Sequence, residues 1–114
     1  MKAEFWDYLQ RLVETSQIVL DRPKGAIHPR YNRQPYPVSY GYLSGTTAMD
    51  AGGVDIWVGS LQEKNVVGAL CTVDLLKRDT ELKIVIGCTD DEVNQILNFI
   101  NSGEMRAIYL PRTK

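Results

Sequence analysis

The chain has 114 residues, which is room for one compact domain. Apolar residues make up 44% and charged residues 24%, which excludes disordered and collagen-like chains. Thirteen Lys and Arg against 14 Asp and Glu leave a net charge of −1, which argues against bulk electrostatic capture of nucleic acid. No apolar run approaches the ~18 residues of a membrane helix and no charged-then-apolar leader opens the chain, so a soluble, cytoplasmic protein without membrane contact is expected.

The first predicted element is an amphipathic helix, with Phe5, Leu9, Leu12 and Val13 at helical spacing, Tyr8 beside them, and Lys2, Glu4, Asp7, Arg11 and Glu14 on the polar face. Thr15 and Ser16 interrupt the pattern, and Gln17 to Leu20 reads as a short strand. Residues 21–37 then carry four prolines, which forbid a helix, and five side chains able to carry positive charge, Arg22, Lys24, His28, Arg30 and Arg33. A proline-stiffened loop rich in arginine suits recognition of phosphate.

From Val38 onward the chain is strand-rich. Val38–Leu43, Val54–Gly59, Val66–Leu76 and Leu82–Cys88 are apolar, β-branched runs with no helix between them. That spacing predicts antiparallel sheet or a small barrel over repeated βαβ units. Cys71 and Cys88 fall inside two of these runs without any partner motif and are expected to be buried free thiols. Thr89 opens T-D-D-E, a capping box, and Val93, Ile96, Leu97 and Ile100 continue it as a second helix over 90–102, stopped at Gly103. A last strand over Arg106–Leu110 precedes a basic tail.

Three stretches carry chemistry. Asp50 and Asp55 bracket a Gly-Gly turn, an oxygen-rich corner suited to a hard cation; taken alone, a turn using Asp for local hydrogen bonds is the simpler account. Asp79, Glu81 and Lys83 alternate, so one strand turns all three to one face. Asp74, inside an otherwise apolar run, needs a partner or exposure. With Asp21, these carboxylates, the basic loop and the tyrosines form a set able to support metal-assisted transfer of phosphoryl groups to water.

The order of these motifs resembles the soluble inorganic pyrophosphatases of the Mg²⁺-dependent, single-barrel type. IVLDRP at 18–23, YPVSYGYL at 36–43, DAGGVD at 50–55 and ELK at 81–83 carry the resemblance, which spans roughly residues 17–88. It implies one α+β domain over residues 1–114, a small OB-like antiparallel β-barrel with flanking N-terminal and C-terminal helices. It implies hydrolysis of pyrophosphate or a related phosphoanhydride, with Mg²⁺ (Mn²⁺ as the alternative) held by Asp50, Asp55, Glu81 and either Asp74 or Asp79. Asp21, where the family usually has Glu, is a further implied metal carboxylate. Asp55 and Tyr40 are the implied catalytic residues, and Arg30, Arg33 and Lys83 the implied phosphate ligands.

The departures from the family pattern are specific. A central aspartate of the turn is replaced by Gly52, the loop from Arg30 to Tyr36 is short, and the Tyr-Lys pair after the second helix has only Arg106 and Tyr109 as stand-ins. They keep a second reading open, a non-catalytic module of the same fold that binds a phosphorylated ligand or a protein partner. A third reading uses Trp57, Tyr31, Tyr36 and Tyr40 as stacking platforms for single-stranded nucleic acid, against which the near-neutral charge speaks. Trp6, read as exposed, together with shortened barrel edges, leaves a homo-oligomer open.

Overall fold

Eight elements follow in the order α1 (Lys2–Glu14), β1 (Gln17–Arg22), β2 (Ser39–Ser44), β3 (Val54–Val58), β4 (Val66–Asp74), β5 (Asp79–Ile86), α2 (Asp90–Ile100) and β6 (Met105–Pro111). They come from a computed structural model, which describes residues 2–30, 34–48 and 52–113. The six strands form one sheet in the order β1-β2-β3-β5-β4-β6. The α+β class and its two flanking helices agree with the sequence expectation, and the sheet is compatible with an OB-like fold.

The antiparallel expectation holds at four strand pairs, whereas β3 and β5 run parallel. The connection after β3 crosses the end of β5, where Gly59 and Leu61 donate to the carbonyls of Ile86 and Gly87. The chain therefore enters β4 on the far side and returns through the hairpin into the gap beside β3. The strand that fills this gap ends in Lys83-Ile84-Val85-Ile86, all buried, as a central strand covered on both faces should be.

Each face of the sheet has its own core. On one, α1 covers Leu43, Ile56, Ala69, Ile84 and Ile86 with Trp6 and Val13. The buried stripe of α1 keeps Leu9 and Val13 of the expected Phe5, Leu9, Leu12 and Val13 but takes Trp6 in place of Phe5 and Leu12; Phe5 is 50% exposed and Trp6 only 5%. Both stripes share the i, i+3, i+4 geometry, and turning the helix toward Trp6 buries the larger side chain. Trp6 thus offers no surface for self-association. On the opposite face α2 covers Trp57, Leu70 and Val85 with Val93, Ile96 and Ile100. Its capping box is complete: the Glu92 amide donates to Thr89 Oγ1 at 3.1 Å, and the Thr89 amide donates to Glu92 Oε1 at 2.9 Å. Cys71 and Cys88 are free thiols, and burial pushes Cys88 up to about 12. No helix among the described residues is long and apolar enough to cross a membrane.

Within residues 23–37, the described parts of the loop are tied to β2. The Gly25 amide donates to Tyr36 O and the Tyr36 amide to Ala26 O, both at 2.8 Å, and the Lys24 amide reaches Ser39 Oγ at 3.0 Å. These bonds set Tyr36 on the face that α2 covers, buried against Trp57 and Phe99.

Candidate functional site

The α2-covered face continues past the apolar core into a polar cluster. Tyr40 pairs with Trp57 across β2 and β3, and Tyr42 pairs with Asp55, so Tyr40, Asp55 and Trp57 share a face. In the parallel pair Ile56 stands opposite Ile84 and Trp57 opposite Val85, which sets Asp55 beside Lys83 on that same face. Alternation along β5 adds Glu81. Lys83 Nζ donates to Tyr40 Oη at 2.7 Å, to Asp55 Oδ2 at 2.9 Å and to Glu81 Oε2 at 3.1 Å. The side chain of Lys83 is 10% exposed, that of Glu81 16% and that of Asp55 26%, so the ammonium lies deepest and the carboxylates lie at the rim.

The electrostatics follow from this nesting. Burial alone would lower Lys83; the oxygen of Tyr40 and the charge of Asp55 reverse that and hold it well above an ordinary lysine. Burial pushes Tyr40 well above the usual tyrosine range, so its hydroxyl keeps its proton. Burial also opposes ionisation of Asp55, but Lys83 and hydrogen bonds from Lys83, Tyr40 and Glu81 outweigh it and keep Asp55 below the usual carboxylate range. Glu81 moves the other way, raised by burial and by Asp55 against the pull of Lys83. Two neighbouring acids with opposite displacements are a pair in which one holds charge and the other holds the proton longer. Behind them stand aromatics packed edge-on or tilted: Tyr40 and Trp57 at 4.6 Å, Tyr36 and Trp57 at 5.7 Å, and Tyr36 and Phe99 at 4.8 Å between ring centroids.

Of the residues singled out in the sequence, Tyr40, Asp55, Glu81 and Lys83 are brought together. Asp74 stands on the same face, paired with Asp79 at the hairpin end, and its Oδ1 accepts from the amides of Leu76 and Lys77 at 3.0 and 3.1 Å. That answers the need for a partner and ends β4 at Asp74 instead of Leu76. Asp21 is exposed and sits in a bulge, where the register steps from Leu20↔Gly41 to Arg22↔Tyr40. Arg30 lies exposed in the loop, its amide donating to His28 Nδ1 at 3.0 Å. Asp50 and Arg33 lie outside the described residues, as does Tyr31.

Sequence reasoning missed Arg22 and Lys77 as members of this region. The bulge gives Arg22 the position facing Tyr40 that strict alternation along β1 assigns to Asp21, and its positive charge acts on the hydroxyl of Tyr36. Arg22, Arg30 and Lys77 all act on His28, which burial and these three charges hold low. The only advance signal was the adjacency of Arg22 to Asp21; the bulge itself has no signature in IVLDRP.

No protein-family model and no curated protein sequence matches the chain. Its fold, however, is shared with solved inorganic pyrophosphatases. The enzyme from Neisseria gonorrhoeae superposes with a TM-score of 0.63 at 18% identity, over 83% of this chain and 81% of that one. The Helicobacter pylori enzyme gives 0.60 at 16% identity over 82% and 81%, and that from Coxiella burnetii 0.57 at 14% identity over 81% of each chain.

Asp55 and Glu81 supply hard carboxylate oxygens of the kind Mg²⁺ takes. Among the described residues no group of three or more Asp, Glu, His or Cys is placed to hold a metal, Gly52 contributes no side chain, and both carboxylates are bonded to Lys83. The donor chemistry of Asp55 and Glu81 therefore suits a hard cation, while the two as placed are held by Lys83.

Proposed function

We propose that this protein binds pyrophosphate, or a related small phosphoanhydride, against Tyr40 and Lys83 and hydrolyses it with the help of Mg²⁺ or Mn²⁺. The observation that supports the reading is the Lys83-centred cluster of Tyr40, Asp55 and Glu81, carried on three strands of a fold shared with inorganic pyrophosphatases. Asp55 and Glu81 would hold the cation, with Asp50 as the third carboxylate; Asp74 keeps one oxygen beyond its turn bonds on the same face. When bound, such an ion lowers the pKa of a water and offsets phosphoryl charge.

The chain's own residues divide the remaining work. Asp55, held ionised, accepts a hydrogen bond from the attacking water and orients it. Lys83 turns from the carboxylates to a phosphoryl oxygen, and Tyr40 donates its hydroxyl hydrogen bond to the same group. Arg30 and Arg33 supply further cations from the loop. The water oxygen bonds to one phosphorus as its bond to the bridging oxygen breaks; that oxygen leaves with the second phosphate, and the two protons of water divide between the products.

A second reading, binding without turnover, is favoured by Gly52 and by the engagement of both carboxylates with Lys83. One experiment decides between them. Phosphate release from pyrophosphate in millimolar Mg²⁺ should fall at least a hundredfold in Asp55→Asn. Turnover that persists in that variant refutes hydrolysis at this site. Absence of turnover in the unaltered protein, with imidodiphosphate still bound, establishes the binding module.

A further inference from the structure

Lys83 is the deepest cation of the cluster, and its three hydrogen bonds all go to its own neighbours. A ligand's phosphoryl oxygens need cationic partners beyond it, and the bulge in β1 supplies one. By inserting Asp21 as an unpaired residue, the bulge turns Arg22 onto the face of Tyr40, where alternation would have pointed it away. The backbone permits this because position 41 is glycine: a Cβ there would strike the carbonyl oxygen of Val19. Arg22 is half-buried, and its charge acts on the Tyr36 hydroxyl together with those of Lys83 and Asp55. Among the described residues no carboxylate is ion-paired with it. Arg30 of the loop and Lys77 of the β4–β5 turn act with Arg22 on His28.

We propose that Arg22 is a phosphate-binding arm of this site, its guanidinium set by the bulge on the face of Tyr40 to take the distal phosphoryl group of a phosphoanhydride whose other end lies against Lys83 and Tyr40. The inference rests on the reading of that face as the phosphate site. A guanidinium presents paired N–H donors that fit two phosphoryl oxygens at once, and the bulge fixes the position on β1 from which this one is presented.

The test is calorimetric titration with imidodiphosphate, in Mg²⁺ and separately in EDTA, on the full chain and on Arg22→Gln, Arg22→Lys and Lys24→Gln. Arg22→Gln is expected to weaken binding about tenfold, the scale of one partly exposed charge-assisted hydrogen bond. Arg22→Lys should recover part of that loss because it keeps the charge without the fork. Lys24→Gln, an exposed cation two residues on, should stay within twofold of the parent. Equal affinities for the parent and Arg22→Gln overturn the inference and leave the phosphate site standing. So does an equal loss in Lys24→Gln, which would mean diffuse attraction. Should Arg22→Gln fail to fold, a folded Arg22→Lys that binds as tightly as the parent overturns it as well. No binding by the parent in either condition refutes the phosphate site, and the inference with it.

Discussion

Replacing Lys83 by methionine keeps the packing of the stem and deletes the ammonium that three groups share. Its bonds of 2.7, 2.9 and 3.1 Å to Tyr40, Asp55 and Glu81 would vanish, leaving two acids side by side. Breaking a fully buried pair in this way costs about 3–5 kcal/mol. Here water reaches both carboxylates, which are 26% and 16% exposed, and Glu81 already holds its proton longer than usual, so about 2 kcal/mol at pH 7 is the better figure. For a chain of this size the unfolding entropy is about 0.24 kcal/mol/K, so Tm should drop by roughly 8 °C. The pH dependence has a definite sign. Without the ammonium, both acids have folded-state pKa values above their unfolded ones. The variant therefore keeps its stability below the unfolded values and loses it as pH rises, and its deficit relative to the parent grows from pH 4 to pH 7. Calorimetric unfolding at the two pH values measures this, and adding Asp55→Asn to the lysine variant should recover more than half of the pH 7 loss. A drop below 2 °C at pH 7, or equal drops at both pH values, would refute the account of Lys83 as the counter-charge of the acid pair.

Glu92 offers a second titration far from the cluster. Burial opposes its ionisation, but amides of Thr89 and Ser60 outweigh that and hold it low, so its stabilisation is present above the unfolded carboxylate pKa and lost as pH falls through the folded one. Glu92→Gln should therefore cost about 1 kcal/mol, or ~4 °C in Tm, at pH 7 and nothing measurable near pH 3 by thermal unfolding. Gly41→Ala should cost about 3 kcal/mol, or ~12 °C, because its Cβ meets the Val19 backbone, which cannot swing aside as a side chain could. A fall of less than 3 °C would mean that β1 does not lie this close to β2.

The parts of the site that alternation and strand pairing determine were legible in the sequence. Glu81 and Lys83, two apart on one strand, had to share a face; Asp55 was grouped with them through the family resemblance, and its place beside Lys83 comes from the β3–β5 pairing. The second helix was readable from its capping box to within two residues, since Thr89 and Glu92 specify its start chemically. What stayed hidden depends on events with no local periodicity. The parallel pairing of β3 with β5 arises from a crossover whose hydrogen bonds are backbone to backbone. The exchange of Asp21 for Arg22 arises from a bulge, and a one-residue slip reverses every facing side chain beyond it. Asp74 looked like a carboxylate in search of a cation because two amides of its own hairpin, its actual partners, are not visible in residue identities.

The charges also explain why Gly52 and Arg22 belong together. Two carboxylates and one ammonium leave the described cluster with a single formal negative charge, and the guanidinium that faces it offsets that charge. An approaching phosphoryl group therefore meets little net repulsion even before a cation is present, because the charge of Arg22 on the face of Tyr40 offsets that of the cluster. A further aspartate at position 52 would tilt the balance toward repulsion, and an anion could then enter only behind a bound cation. With glycine there, the loss of affinity in Arg22→Gln should be as large in EDTA as in Mg²⁺, whereas a site that depended on its metal for anion binding would show that loss only with Mg²⁺ present.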